Sequence, residues 1–258
     1  MKVLILDTPA GAVDRAAGLI AAQLRRAPAS VIGLATGGTM LPLYEKLRAT
    51  HAAGLSFAAT TTFNLDEYVG LPPDDPRSYH SYMRDHLFSH IDIDPARTHL
   101  PRGNAPDPAA EAERYDAAIT AAGGLDLQLL GIGQNGHIGF NEPTSSLTSR
   151  TRIKTLTQDT RAANAQYFPD GDTPRFAITM GVGTIMDARH CLLLATGAAK
   201  AEAVARMVEG PLSAACPASV LQMHRHATVV LDHAAAARLE LLEYYFHVHP
   251  NGEMREVR

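Results

Sequence analysis

The chain has 258 residues, 46% of them hydrophobic and 19% charged, which excludes a disordered chain and leaves room for one large α/β core. Its net charge is −4 with both signs scattered, so there is no electrostatic footprint for nucleic acid or an anionic membrane, although a local pocket can still be positive and take a small anion. Two cysteines, Cys191 and Cys216, with no CxxC spacing argue against a disulfide framework and a thiolate metal site.

Residues 2–7 read as a first strand. Its apolar run from Val3 is stopped by Asp7, too short for the core of a signal peptide. No run approaches the roughly 20 apolar residues of a membrane helix, and a soluble cytoplasmic protein is the expectation. Residues 10–26 read as a helix, because Val13, Ala16, Ala17, Ile20 and Leu24 recur at steps of three and four. A buried strand at 30–34 runs into Ala35-Thr-Gly-Gly-Thr39, and 40–50 reads as a helix. A short strand at 59–63 is followed by Asn64-Leu-Asp-Glu-Tyr68 and a Pro-Pro turn. Residues 78–89 read as a helix with Tyr79, Met83 and Leu87 on one face.

Residues 92–108 hold four prolines and read as a surface connection. Helix 109–122 and a buried strand near 125–131 follow. Residues 153–156 read as a strand, 159–168 as a helix, 169–172 as a turn and 175–180 as a strand. Residues 191–195 form a strand in which Cys191 is read as core, 197–208 a helix, 228–231 the last strand and 233–246 the last helix. Strands and helices alternate, and most strands are apolar throughout. That is the pattern of a mostly parallel sheet covered on both faces, with no linker dividing residues 1–258.

Four loops follow predicted strands and hold the chemistry. In a parallel sheet such loops share one edge and can converge on one pocket. Gly131-Ile-Gly-Gln-Asn-Gly-His-Ile-Gly-Phe-Asn-Glu-Pro143 has four glycines in 13 residues, allowing close backbone approach to a ligand, and carries His137 and Glu142. The other reading of the stretch alone is a mobile Gly-rich turn with a solvated histidine. Thr36-Gly37-Gly38-Thr39 joins a strand to a helix and is either an anion cradle or a tight turn with a Thr N-cap. It lacks the following Gly-Lys-Ser/Thr of a nucleotide P-loop. Asp66 and Glu67 offer a general base or a solvated acidic turn. No His and acid spacing makes them a metal site. Lys200, in the first turn of a helix, opposes the macrodipole unless an anion is bound there; the other reading is an exposed lysine on a flexible stem.

Together these residues resemble the glucosamine-6-phosphate deaminase family, continuously from about Val31 to Phe246 and most specifically over 63–71 and 131–157. The resemblance implies a three-layer α/β/α sandwich with a mostly parallel, Rossmann-like central sheet. It implies conversion of glucosamine 6-phosphate and water to fructose 6-phosphate and ammonia, without a metal or organic cofactor. By position, Asp66 looks like the base moving a proton between C2 and C1, His137 like the group that opens the sugar ring, and Glu142 like its carboxylate partner. Thr36, Gly37, Gly38, Thr39 and Lys200 match the phosphate site.

Ser145, Arg152, Lys154, Thr155 and, in a looser alignment, Tyr245 match positions that bind N-acetylglucosamine 6-phosphate in allosteric hexameric members. The chain departs from the family at two points. Asn135 stands where some members have aspartate, and is expected to orient the imidazole through its amide oxygen. Gln166 aligns with a phosphate-binding arginine, and Arg161 is more than a helical turn away. A 6-phosphogluconolactonase-like hydrolase and a non-catalytic sugar-phosphate sensor are the alternatives. The Phe140-Asn141-Glu142-Pro143 continuation favours the deaminase, and a sensor of the bacterial repressor type would need a DNA-binding segment.

Overall fold

In the computed structural model, which describes residues 1–169, 171 and 173–253, the alternating pattern becomes two sheets and their covering helices. In chain order the elements are β1 (Lys2–Leu6), α1 (Pro9–Arg26), β2 (Val31–Leu34), α2 (Met40–Ala52), β3 (Thr61–Asn64), β4 (Asp66–Tyr68), α3 (Tyr79–His86) and β5 (Thr98–His99). Then come α4 (Pro108–Ala121), β6 (Leu127–Leu130), β7 (Arg152–Thr155), α5 (Gln158–Asn164), β8 (Phe176–Thr179), α6 (Val182–Met186) and β9 (Cys191–Ala195). The chain ends on α7 (Ala201–Val208), β10 (Ala227–Asp232), α8 (His233–Ala236) and α9 (Leu242–Val248).

The main sheet has seven parallel strands in the order β1-β10-β9-β6-β2-β3-β5, with helices on both faces in a three-layer α/β/α arrangement. Its strands β2, β6, β9 and β10 are buried throughout, as strands covered on both faces must be. From β2 the chain winds outward through β3 to β5, then returns to β6 on the other side of β2. The point where the winding reverses, outside the carboxyl ends of β2 and β6, is where such sheets leave a crevice.

α1 shows how local chemistry sets the elements. The Thr8 hydroxyl accepts from the Gly11 amide at 3.0 Å, Pro9 occupies the first turn and Arg25 and Arg26 the last, which suits the helix dipole. The stripe read from the sequence, Val13, Ala16, Ala17, Ile20 and Leu24, is the buried face.

Several expected elements are corrected. The tract after Asn64 is not a loop but β4, part of a second, antiparallel sheet in the order β4-β8-β7. The proline-rich connection 92–108 contributes the edge strand β5, paired with β3. The helix expected at 159–168 ends at Asn164 and tightens into a 3-10 turn. The one expected at 197–208 opens with a 3-10 turn, Ala198–Lys200. Gly197 has φ +88° and donates its amide to Asp232 Oδ1 at 3.0 Å, so that backbone is not helical. The last helix is split into α8 and α9. The Glu209 carboxylate accepts the amides of Glu240 and Leu241 at 2.7 and 3.0 Å, donors that a continuous helix would have used internally. Of the turn at 169–172, Asp170 and Asp172 lie outside the described residues.

A small satellite core, Tyr68, Leu71, Phe140, Leu156, Phe168 and Ala177, packs beside the main one. Tyr68 meets Phe140 and Phe168 at centroid distances of 5.4 and 5.3 Å. It fixes the end of the glycine-rich loop against the second sheet. No helix among the described residues is long and apolar enough to cross a membrane.

Candidate active site

The loops after β2, β6 and β9, with the start of β4, bound a single cavity of about 440 Å³ at the reversal point, within the usual size of small-molecule sites, about 300–1,000 Å³. Thr36, Gly37, Gly38, Thr39, Asp66, Asn135, His137 and Lys200 all line it. Four segments far apart in sequence therefore meet, as the strand-end argument requires.

The loop after β2 presents its amides to this space because its carbonyls are held elsewhere. The Tyr44 hydroxyl donates to the Ala35 carbonyl, and the Tyr82 hydroxyl donates to the Gly37 carbonyl at 2.9 Å. Gly37 sits at φ +110°, which favours glycine. No hydrogen bond among the described residues uses the amides of Gly38 and Thr39, at the foot of α2. The N-cap alternative is not realised: Thr39 has φ −64° and ψ −26° and makes no side-chain cap bond. What remains is a set of free donors at a helix N-terminus, an arrangement that favours an anion.

Lys200 is not on a free stem. Its Nζ donates to the Ile132 carbonyl at 2.7 Å, and burial pushes its pKa down. It thus ties the β9 loop to the glycine-rich loop and brings a cation to the cavity wall. Lys200→Ala is expected to raise KM for a phosphorylated substrate about ten- to a hundredfold, the worth of a charge-assisted hydrogen bond, with a smaller change in kcat. Steady-state kinetics checks this, and an unchanged KM would remove the lysine from the anion site.

In the glycine-rich loop, an ideal Cβ at Gly133 would fall 2.2 Å from the His137 ring, so glycine there makes room for the imidazole. Glu142 is 1% exposed, with Oε2 standing 3.4 Å from His137 Nδ1. Burial alone would raise its carboxyl, but His137, Thr160 and Asn135 together hold it down at about 2. A fixed anion beside buried Nδ1 leaves Nε2 as the nitrogen toward the cavity. Asn135 corrects the sequence expectation. Its amide oxygen accepts from the His137 backbone N–H at 3.1 Å, and its NH₂ donates to Glu142 Oε2 at 2.9 Å. A backbone N–H only donates and a carboxylate only accepts, so the amide's orientation is fixed. It positions Glu142 and the loop rather than the imidazole.

Asp66 lies against the same loop: an ideal Cβ at Gly139 would be 3.2 Å from its Oδ2. Burial, then the charge of Glu67, push its carboxyl up to about 8, against a hydrogen bond from the Phe140 amide. A carboxyl that titrates near neutrality is a proton-transfer group in waiting.

The sequence reading missed the wall contributed by α3 and α5. Tyr79, Asp159, Thr160, Ala163 and Asn164 also line the cavity. The α5 residues fall one and four apart on one stripe, small or polar, and that stripe was the available signal. Gln166 turns back to the Ala163 carbonyl at 3.1 Å, and Arg161 bonds the Thr173 carbonyl; neither lines the cavity.

The second cluster is only partly assembled. Arg152 and Lys154 share one half-buried side of β7, and Arg152 Nη1 donates to Asn141 Oδ1 at 2.8 Å. Ser145 is buried with its hydroxyl unpartnered. Thr155 alternates to the opposite face with exposed Ile153. Tyr245 belongs to α9, where its hydroxyl donates to Glu209 at 3.0 Å. Among the described residues, no hydrogen bond or ring contact joins it to the cluster.

Residues 7–230 match the family model of glucosamine-6-phosphate isomerases and 6-phosphogluconolactonases. The chain belongs to this family. Among its members, the glucosamine-6-phosphate deaminase of Shewanella loihica is 54% identical, with 100% of this chain and 97% of that protein covered. That of Pseudarthrobacter chlorophenolicus is also 54% identical, with 97% of each covered. A solved structure described as a monomeric glucosamine-6-phosphate deaminase superposes with a TM-score of 0.90 at 48% identity, covering 92% of this chain and all of that one. The 6-phosphogluconolactonase of Trypanosoma brucei superposes at 0.74 with 21% identity, covering 92% of this chain and 98% of that one, and shares the family fold.

Proposed function

We infer that the chain converts glucosamine 6-phosphate and water to fructose 6-phosphate and ammonia. The observation that carries this is a cavity lined at once by the glycine loop at the foot of α2, by His137 with the buried Glu142 carboxylate behind it, and by the buried carboxyl of Asp66. The phosphate is held by the amides of the 36–39 loop and by Lys200. His137, oriented by Glu142, moves a proton through Nε2 at the ring oxygen and opens the sugar. Opening creates a carbonyl at C1, beside which the C2 proton is acidic. Asp66 takes that proton and returns it at C1, giving a fructosimine that water hydrolyses. Each placed proton transfer is worth about 10²–10⁴-fold in rate.

Lactone hydrolysis moves no proton at carbon and gives Asp66 no task. The test is release of ammonia and fructose 6-phosphate in equal amounts from glucosamine 6-phosphate, with galactosamine 6-phosphate and 6-phosphogluconolactone alongside. Well-folded protein that releases neither product overturns the reading. A sugar phosphate is too charged to leave the compartment where it is made, so the enzyme is placed in the cytoplasm.

The unpartnered Ser145 hydroxyl, and Arg152 and Lys154 on one side of β7, support a second ligand, the activator N-acetylglucosamine 6-phosphate. In this family such activation goes with a hexamer, whereas the 48%-identical structure is described as monomeric. Activation predicts a sigmoidal substrate curve that the activator makes hyperbolic, and a loss of that response in Arg152→Ala. A hyperbolic curve, unchanged by the activator, contradicts it.

A further inference from the structure

His137 and Glu142 flank a turn, Ile138-Gly139-Phe140-Asn141, whose last residue the mechanism above does not use. The Asn141 amide donates to the Ile138 carbonyl at 3.1 Å and closes the turn. The residue is 0% exposed, and its side chain closes the turn a second time. Nδ2 donates to the same Ile138 carbonyl at 2.9 Å, and to the Met180 carbonyl, just past β8, at 2.8 Å. Oδ1 accepts from Arg152 Nη1 at 2.8 Å. Carbonyls only accept and a guanidinium only donates, so these partners admit one orientation of the amide.

These bonds tie the turn to the second sheet. Asp66, Thr179 and Arg152 are directly opposed across β4, β8 and β7, and opposed residues share a face. That row meets the turn residue by residue. An ideal Cβ at Gly139 would fall 3.2 Å from Asp66 Oδ2 and 3.1 Å from Thr179 Oγ1. Thr179 Oγ1 accepts from the Phe140 amide at 3.1 Å, and Arg152 reaches Asn141. The turn is therefore held against the strand that carries Asp66, with His137 at one end and the buried Glu142 at the other.

The geometry points to Asn141 as a positioning residue for the reaction: it clamps the turn between His137 and Glu142 and, braced by Arg152, sets how closely carboxylate and imidazole approach. This rests on the reading of that pair as the group that opens the sugar ring. Glu142 Oε2 stands 3.4 Å from His137 Nδ1. Gly139, at φ +55° within the turn, is the most permissive residue type, so the turn needs a clamp to keep that distance. Asn135 steadies Glu142 and the His137 backbone but, among the described residues, makes no hydrogen bond to the turn.

The test compares Asn141→Asp, Arg152→Met and Arg152→Lys as full-length enzymes without the activator, each checked for folding by circular dichroism. Asn141→Asp keeps the shape and sets an acceptor oxygen against two carbonyls. A displacement of the pair on the order of 1 Å costs about a hundredfold in rate, and kcat is expected to fall by that factor. KM should stay near the wild-type value, because the 36–39 loop and Lys200 are untouched. Arg152→Met removes one donor from a half-buried position and should lower kcat by less. Arg152→Lys keeps a cationic donor and should recover most of that loss. The imidazole nitrogen resonances of His137, read by NMR, should move in Asn141→Asp and Arg152→Met. Arg152→Met carries the test if Asn141→Asp does not fold. A purely structural role lowers the melting temperature and leaves kcat and the His137 resonances at their wild-type values; that result in whichever variant folds overturns the inference. A reduced kcat with unmoved resonances, or a loss confined to KM, overturns it too. The two ideas fail separately. A fully active His137→Gln enzyme removes the ring-opening pair, whereas an inactive His137→Gln with wild-type kcat in Asn141→Asp removes only the role of Asn141.

Discussion

Asp66→Asn is expected to lower kcat by about 10²–10⁴-fold while the phosphate end of the substrate binds much as before. The amide fills the same space and cannot take a proton from C2, and general-base catalysis of this kind carries that range of rate. The anion loop and Lys200 are untouched, so KM or the affinity of a non-reacting sugar phosphate should change little. Isothermal titration beside turnover separates the two effects. A second consequence follows from the buried charge. The folded-state carboxyl is raised to about 8 by burial and by Glu67, above its value in the unfolded chain. Its contribution to stability is complete at acid pH and is lost as pH rises through 8. Each pH unit of that difference corresponds to about 1.4 kcal/mol. Asp66→Asn should therefore match the parent in thermal stability near pH 4 and melt higher than it at pH 9. Equal melting temperatures at pH 9 would mean that the carboxyl is not buried as described.

The second large effect is expected at Gly136→Ala. Gly136 has φ +87°, and a Cβ there would lie 2.5 Å from Cys216 Sγ. The backbone conformation alone costs about 1–2 kcal/mol for an L side chain. The contact must be relieved by moving either the 213–218 segment or the loop that carries His137. That segment is bonded to the loop, with the Ala218 amide donating to the Gly136 carbonyl at 3.0 Å, so the displacement passes to the imidazole. A shift on the order of 1 Å costs about a hundredfold in rate. The expected result is a kcat reduced by that factor and a lower melting temperature. Adding Cys216→Ala should restore part of both, because it removes the sulfur but not the strained φ. A double variant no better than the single one would show that the loop is not braced by Cys216.

The parallel sheet and the meeting of four loops were legible because strands apolar throughout must be covered on both faces, and because glycine turns leading from strand to helix fall on one sheet edge. Asp66, His137 and Lys200 were found on that logic and do line one cavity. What escaped depended on partners distant in sequence. The strand β4 is three residues long and exists through pairing with β8, over a hundred residues away. The break before α9 is made by Glu209, which no local pattern in 233–246 announces. Asn135 is tied to the imidazole only by its match to a family aspartate, yet its partners are a backbone N–H and Glu142. The α5 wall escaped because its stripe of small and polar residues, though at helical spacing, is not the apolar periodicity by which a packed face is recognised. Strand alternation, which puts Arg152 and Lys154 on one side of β7, puts Thr155 on the other.

The central claim is that Asp66 handles the carbon-bound proton inside this cavity. Its most direct test is incubation of the enzyme with fructose 6-phosphate and ammonia in deuterated water, reading deuterium at C1 by NMR. The wild-type protein should introduce the label at C1, and Asp66→Asn should introduce essentially none while still binding the sugar phosphate. Label appearing at the same rate in both proteins would contradict the account.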